Sequence, residues 1–331
     1  MKQVLDFIVI GAQKSGTTSL FEYLRRHPSL SLPAAKEVPY FSHDANYGRP
    51  WTEYLRKAFA FADPQTQWGT VTPQYMVGGI YDAVRPPDDS PVESDVRTVP
   101  LRIRDRLPNV RLIAILRDPV ERARSHHAMA ALNGWDTRPF AQAVQELLAP
   151  EALVSSRRVP EETTGYVVWG EYGRILAGYL DAFGREQLLV LFTTELRDDP
   201  ASVLRRVFEF LTVDPEFIPD NLGTNYRQGG ASRRVRWLDL NVLQAAASSS
   251  SVARGLWHAI PEPARRHVDT RFDRMNYWLS LWNRRSGSPG ADRQSETDRA
   301  LRDHYAQDAE RIAGLFDVAV PWSPTSAGAM P

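Results

Sequence analysis

Between Gly11 and Gly16 the chain reads G-A-Q-K-S-G, and Thr17, Thr18 and Ser19 follow at once. Glycines at this spacing after a short apolar run make a loop that can wrap an anion. Backbone N–H groups at the start of the next helix point outward, and hydroxyls in its first turn add donors. A loop built for a nucleoside triphosphate carries its lysine directly after the second glycine. Here Thr17 holds that place, and the lysine is Lys14, inside the loop. Gln13, Lys14, Ser15, Gly16, Thr17, Thr18 and Ser19 are therefore the first candidate anion-binding set.

A second set begins where L-I-A-I-L ends. Arg117 follows it, then Asp118 and Pro119, and Ser125 lies eight residues beyond the arginine. A magnesium-triphosphate site needs an acidic residue at the end of that run, and an arginine stands there instead. The two sets suit a smaller anion carried without metal. Each has a plainer reading: a glycine turn that only joins strand to helix, and an arginine paired with Asp118 or Glu121. Neither explains the two sets together.

The elements that must position these residues follow from apolar periodicity. Val4 to Ile10 and Leu112 to Leu116 are short continuous apolar runs, the pattern of strands buried on both faces. Leu20, Phe21 and Leu24 fall at helical spacing within 17–26, and Pro28 lies just past the end. Trp51, Tyr54, Leu55, Ala58 and Phe59 mark a helix over 51–61, and 69–72 is a short strand before Pro73. Pro119 opens a helix, 172–183 and 200–211 read as helices, and 188–192 as a strand. The expected fold is α/β and P-loop-like, with a central, mostly parallel sheet flanked by helices. Beyond 214 the strands stop, and 233–243, 261–272 and 297–316 read as helical. The expectation is one domain over 1–331, with an α/β core over 1–215 and a helical cap or C-terminal segment over 216–331.

Composition narrows the function. The 331 residues carry 40 basic and 40 acidic side chains, so no nucleic-acid or membrane-surface binding is expected from net charge. There is no cysteine, which removes disulfides, thiolate nucleophiles and Cys-ligated zinc. The histidines show no metal spacing, and adjacent His126 and His127 diverge on a helix, so no metal is expected. The first apolar run is too short to span a bilayer, and the expected setting is cytoplasmic. Only four lysines occur, Lys2, Lys14, Lys36 and Lys57.

The stretch I-G-A-Q-K-S-G-T-T-S-L-F-E-Y-L-R-R-H-P resembles the 5′-phosphosulfate loop of sulfotransferases that use 3′-phosphoadenosine 5′-phosphosulfate (PAPS). L-I-A-I-L-R-D-P-V-E-R-A-R-S-H-H resembles their 3′-phosphate motif, with Arg117 and Ser125 in its arginine and serine places. The resemblance implies PAPS as donor and its desulfated product, adenosine 3′,5′-bisphosphate (PAP), with no metal. Such a donor is charged at both ends of its ribose and needs two anion sites on neighbouring strand-to-helix crossings. Lys14 then belongs at the oxygen bridging phosphate and sulfate, which accounts for its place inside the loop.

P-A-A-K-E-V-P-Y-F-S, from Pro33, resembles the K-E-x-x-[YF]-F segment of the carbohydrate-type branch, which includes heparan-sulfate-type and many bacterial enzymes. The branch implies Glu37 as general base and Lys36 near the sulfuryl group or acceptor. A plain surface ion pair is the other reading of Lys36 and Glu37. A histidine base is the rival, with His43, His126 and His127 as candidates. Thr72, Pro73 and Tyr75 match the branch's G-E-[KA]-[ST]-P-x-Y segment, but Thr70 and Val71 stand in its acidic and lysine places. Thr72, Gln74 and Tyr75 are candidate acceptor-binding residues, with a core role for Tyr75 equally open.

W-G-E-Y-G-R-I-L resembles the family's G-x-Y helix, which puts Tyr172 near the nucleotide. N-Y-R-Q-G-G-A-S-R-R-V-R-W-L resembles a segment that closes over the 3′-phosphate, with Arg233 as its candidate. Trp237, Trp257, Trp278 and Trp282 suit an apolar wall for a sugar or acyl chain, or core packing. The acceptor is expected to be a small molecule or glycoside, sulfated on a hydroxyl or an amine; the sequence sets no oligomeric state. The competing readings are a magnesium-dependent P-loop kinase or NTPase and a non-catalytic nucleotide-binding module.

Overall fold

The computed structural model describes residues 4–60, 62–81, 95–159, 161–224, 232–233, 284–285 and 291–323. The chain clusters into two compact units, Met1–Gln228 with Ala291–Pro331, and Gly229–Gly290. Residues 216–331, grouped together in the sequence reading, are thus shared between the units, and the C-terminal helix belongs with the first.

In the first unit the order is β1 (Phe7–Gly11), α1 (Thr17–Leu24), β2 (Leu30–Ser31), α2 (Asp44–Tyr47), α3 (Trp51–Ala58) and β3 (Gln67–Val71). A 3-10 turn (Pro73–Met76), α4 (Thr98–Arg106), β4 (Arg111–Leu116), α5 (Pro119–Asn133), α6 (Phe140–Leu147), α7 (Pro150–Arg158) and α8 (Gly165–Val168) follow. Then come α9 (Tyr172–Phe183), β5 (Leu188–Phe192), α10 (Thr193–Asp198), α11 (Pro200–Leu211) and α12 (Ala291–Phe316). The strands form a five-stranded sheet in the order β2-β3-β1-β4-β5, and every pairing is parallel.

Strand periodicity explains the continuous apolar runs. Ile8 and Ile10 of β1 face one core with Leu112, Ala114 and Leu116 of β4, under α9 and α12. Phe7 and Val9 face the other with Ile113 and Ile115, under α1 and α11. Both faces are covered along Phe7–Ile10 and Leu112–Leu116, so no polar residue stands on those stretches. The order places β2 and β3 on one side of β1 and β4 on the other. The β1–β4 junction is therefore a switch point, where ligands of open α/β sheets sit beyond the carboxyl ends of the strands.

Asp118 caps α5 by accepting from the backbone N–H groups of Val120 (2.8 Å) and Glu121 (3.3 Å), and Pro119 takes the first turn. The start of α9 is fixed from α12: Asp308 accepts from the N–H groups of Gly173 (2.8 Å) and Arg174 (2.9 Å). Beside it the buried Glu171 accepts from Arg157 (2.7 Å), Arg174 (2.5 Å) and His304 (3.0 Å). Burial works against its charge, but the His304 and Arg157 hydrogen bonds and the Arg174 charge prevail and hold the carboxyl at about 2.

Ser232–Arg233 and Arg284–Arg285 form β6 and β7, an antiparallel pair in the second unit, and Arg233 lies opposite Arg284. The helices expected over 233–243 and 261–272 otherwise fall outside the described residues, as do Trp237, Trp257, Trp278, Trp282 and the Arg233 side chain.

Candidate active site

The loop between β1 and α1 is shaped by its glycines. A Cβ on Gly11 would meet Met76 at 2.7 Å, so only glycine lets the strand end pass the 3-10 turn. Gly16 precedes α1 at φ 97°, a left-handed conformation that favours glycine. Lys14 also sits at positive φ (67°). A non-glycine residue held there costs on the order of 1 kcal/mol or more, an expense that recurs where function fixes a side chain's direction.

The loop is tied to the end of β4 and the start of α10. Ala12 N–H donates to the carbonyl of Ile115 (2.8 Å). The Thr193 hydroxyl contacts the carbonyls of Ser15 (2.6 Å) and Leu116 (3.0 Å). Arg117 reaches across from β4, its Nη1 donating to the carbonyl of Lys14 (3.4 Å). The two crossings singled out in the sequence thus meet. Arg117 also pairs with Glu121 (2.9 Å), one of the two partners its plainer reading offered, while Asp118 serves as the helix cap.

Several hydroxyls gather here. Ser15, Thr17, Ser19 and Ser125 are buried, and Thr18 is half-buried. Tyr172, at the first position of α9, lies beside Ser15 and the Arg117 backbone, and its burial raises the phenol above its ordinary value. The Ser15 and Tyr172 hydroxyls lie close to each other but neither meets a partner at full hydrogen-bond geometry, although both are buried. Buried polar atoms left without partners are rare and call for a ligand or water to complete them.

The second cluster lies between β2 and α2. Glu37 accepts from Lys36 Nζ and from Gln74 Nε2, each at 2.6 Å. Gln74 comes from the 3-10 turn after β3, so a predicted acceptor-side residue grips the predicted base. Glu37 keeps 40% side-chain exposure, enough to meet an acceptor from solvent. Thr70 and Thr72 are fully buried. Tyr75 is buried too: its hydroxyl accepts from Tyr40 N–H (3.0 Å), and its carbonyl accepts from the Tyr179 hydroxyl (2.6 Å). Burial pushes its phenol up to about 12. Its contribution is to hold the backbone that follows Glu37.

The three histidines are already engaged. His127 Nε2 donates to the carbonyl of Arg138 (2.8 Å), its ring packed between Phe140 and Tyr166. His43 contacts the Ser42 hydroxyl (3.1 Å) and the Tyr81 ring. His126 is fully buried, stacked on Trp169, with Nε2 2.6 Å from Glu162 and Nδ1 3.3 Å from Arg122. Glu162 also accepts from Gln13 Nε2 (3.0 Å) and the Tyr81 hydroxyl (2.9 Å). Sequence reasoning passed over Glu162 because nothing in a run of acidic and hydroxyl residues marks it. The contact with Gln13 spans 149 positions.

Among the described residues no His, Asp and Glu cluster could hold a metal ion, and no helix is long and apolar enough to cross a membrane.

Residues 5–227 match the sulfotransferase domain, and the chain belongs to that family. Among its relatives is the human heparan sulfate glucosamine 3-O-sulfotransferase 5, 28% identical over 231 residues, 69% of this chain and 59% of that protein. Another is the membrane-associated sulfotransferase kil1 of Dictyostelium discoideum, 32% identical over 151 residues, 45% of this chain and 28% of that one. The chain therefore spans under two thirds of the length of these relatives. A crystal structure of a sulfotransferase from Alicyclobacillus acidocaldarius shares the fold, with a TM-score of 0.61 at 21% identity over 96% of this chain and 98% of that one.

Proposed function

We propose that the protein moves a sulfuryl group from PAPS to an acceptor hydroxyl, with an amine acceptor as the lesser variant. The observation that carries this reading is the Arg117 guanidinium against the carbonyl of Lys14, which joins two anion-binding crossings at the β1–β4 switch point. The donor, when bound, supplies an electrophilic sulfur beside a phosphate leaving group. The loop from Gln13 to Ser19 would hold its phosphosulfate end, and Arg117 and Ser125 its 3′-phosphate. The buried hydroxyls of Ser15 and Tyr172, short of full hydrogen-bond geometry, fit such a polyanion.

The chemistry asked of the chain is a proton removed and a charge met. Glu37 takes the proton from the acceptor oxygen as that oxygen attacks sulfur. Lys14 places positive charge where negative charge grows on the departing phosphate oxygen. Lys36 and Gln74 orient the carboxylate. Val71 stands where the family's polysaccharide branch often carries a lysine that an anionic chain would want, which favours a neutral sugar, lipid-like or natural-product acceptor over a polyanionic chain. The glucosamine acceptor named for the relatives supports a sugar hydroxyl as the first class to try.

Calorimetric titration with PAP and with ATP tests the reading. PAP is expected to bind, ATP poorly, and magnesium to change neither. Tight ATP binding that depends on magnesium would instead favour a P-loop kinase. Lys14→Ala should abolish labelled-sulfate transfer while leaving the thermal melt unchanged, and undiminished turnover would overturn the assignment.

A further inference from the structure

Glu162 gathers hydrogen bonds from three separate parts of the fold. Gln13 Nε2 comes from the phosphosulfate loop at 3.0 and 3.3 Å from the two carboxylate oxygens. The Tyr81 hydroxyl comes from the chain after the 3-10 turn (2.9 Å), and His126 Nε2 from α5 (2.6 Å). Behind His126 stands Arg122, fully buried, its Nη1 facing Nδ1 and its Nη2 donating to the carbonyl of Tyr166. An arginine can only donate, so Nδ1 accepts and the imidazole proton lies on Nε2, directed at Glu162. Buried Arg122 and partly buried Glu162 are thereby joined through a neutral ring.

A carboxylate has no proton to give, so the Gln13 amide can present only its nitrogen to Glu162. That fixes the amide and leaves Oε1 buried without a partner. Gln13 is the residue immediately before Lys14, at the turn where the backbone enters positive φ.

We propose that Glu162 is a positioning residue of the sulfuryl-transfer site, clamping Gln13 so that the loop presents Lys14 in one geometry, with His126 and Arg122 holding Glu162 in turn. This rests on the sulfotransferase reading above. A misplacement of about 1 Å at a reacting centre can cost roughly 100-fold in rate, so the effect belongs in kcat.

The test uses the full-length protein, PAPS labelled in its sulfate, and phenol as surrogate acceptor, with PAP binding measured alongside. Glu162→Gln, whose amide lets Gln13 turn over, is expected to lower kcat about 10-fold or more while the PAP Kd stays within about 3-fold. Gln13→Ala should lower kcat likewise, and the double variant should be no slower than Gln13→Ala alone, because both changes act through one contact. Unchanged kcat with a lowered melting temperature, or multiplied losses in the double variant, would overturn the proposal. Should Glu162→Gln fail to fold, Gln13→Ala leaves the Arg122–His126–Glu162 chain whole and carries the test alone, with unchanged kcat as the overturning result. A wild-type protein that neither binds PAP nor transfers sulfate would remove the sulfotransferase reading itself, and this inference with it.

Discussion

Glu37 is a side chain whose surroundings match its proposed task. One oxygen faces Lys36 and the other Gln74, so the carboxylate is held at both ends while its side chain keeps 40% exposure. Had the Lys36–Glu37 pair been only a surface ion pair, a third residue from another strand end would have no reason to complete it. Replacing Glu37 by Gln keeps the shape and removes the base. Turnover is expected to fall by about 100-fold or more, with PAP affinity within about 2-fold, as read by steady-state kinetics and calorimetry. A kcat within a few-fold of wild type would move the base elsewhere. His43 would then be the first alternative, because His126 and His127 are both buried and committed to other partners.

The segment that carries this base has no regular secondary structure, and tyrosines hold it. Tyr54 donates to the carbonyl of Val38 (2.9 Å), Asn46 to that of Pro39 (2.7 Å), and the Tyr75 hydroxyl accepts from Tyr40 N–H (3.0 Å). Tyr75→Phe leaves that buried N–H without its partner, a loss of about 1–3 kcal/mol. Urea melts should show the loss, and kcat should fall more than KM rises if the segment positions Glu37. An unchanged kcat would mean the segment is held by other means.

The strands β1, β3, β4 and β5 were readable because both faces are buried, and α1, α3, α9 and α11 because their apolar residues recur on one side; β2, two residues long at Leu30–Ser31, was not. The helices α4, α6 and α7 lie on stretches that the apolar pattern did not mark out. Gln13, Lys14, Arg117 and Glu37 could be singled out as candidates because their motifs are local. Glu162 could not, since its contacts exist only once a loop, a turn and α5 converge on it. Tyr75 was legible as a residue of a motif but not as a support, because that depends on Tyr40 lying above it.

At the scale of the whole molecule, a buried chain of opposite charges bears on stability as well as on the site. Burial lowers His126 from its ordinary 6.5 to about 4, aided by the charges of Arg122 and Lys14 and opposed by Glu162. Burial also works against the Glu162 charge, but hydrogen bonds from His126, Tyr81 and Gln13 outweigh it and hold that carboxyl below its usual range. Between about pH 6.5 and 4 the unfolded chain therefore binds a proton at His126 that the native protein does not. Stability must rise with pH across that window and level off above it. Glu162 acts in the same direction at lower pH, since its depressed value adds stability that is lost on acidification. The His126 contribution alone amounts to about 2 kcal/mol between pH 7.5 and 5. His126→Gln keeps a donor toward Glu162 but cannot titrate. It should be less stable than wild type at pH 7.5, yet lose less on going to pH 5, as measured by urea denaturation at both. Parallel losses in the two proteins would mean that His126 is not held neutral by the fold, and that the acid sensitivity resides in the carboxylates alone.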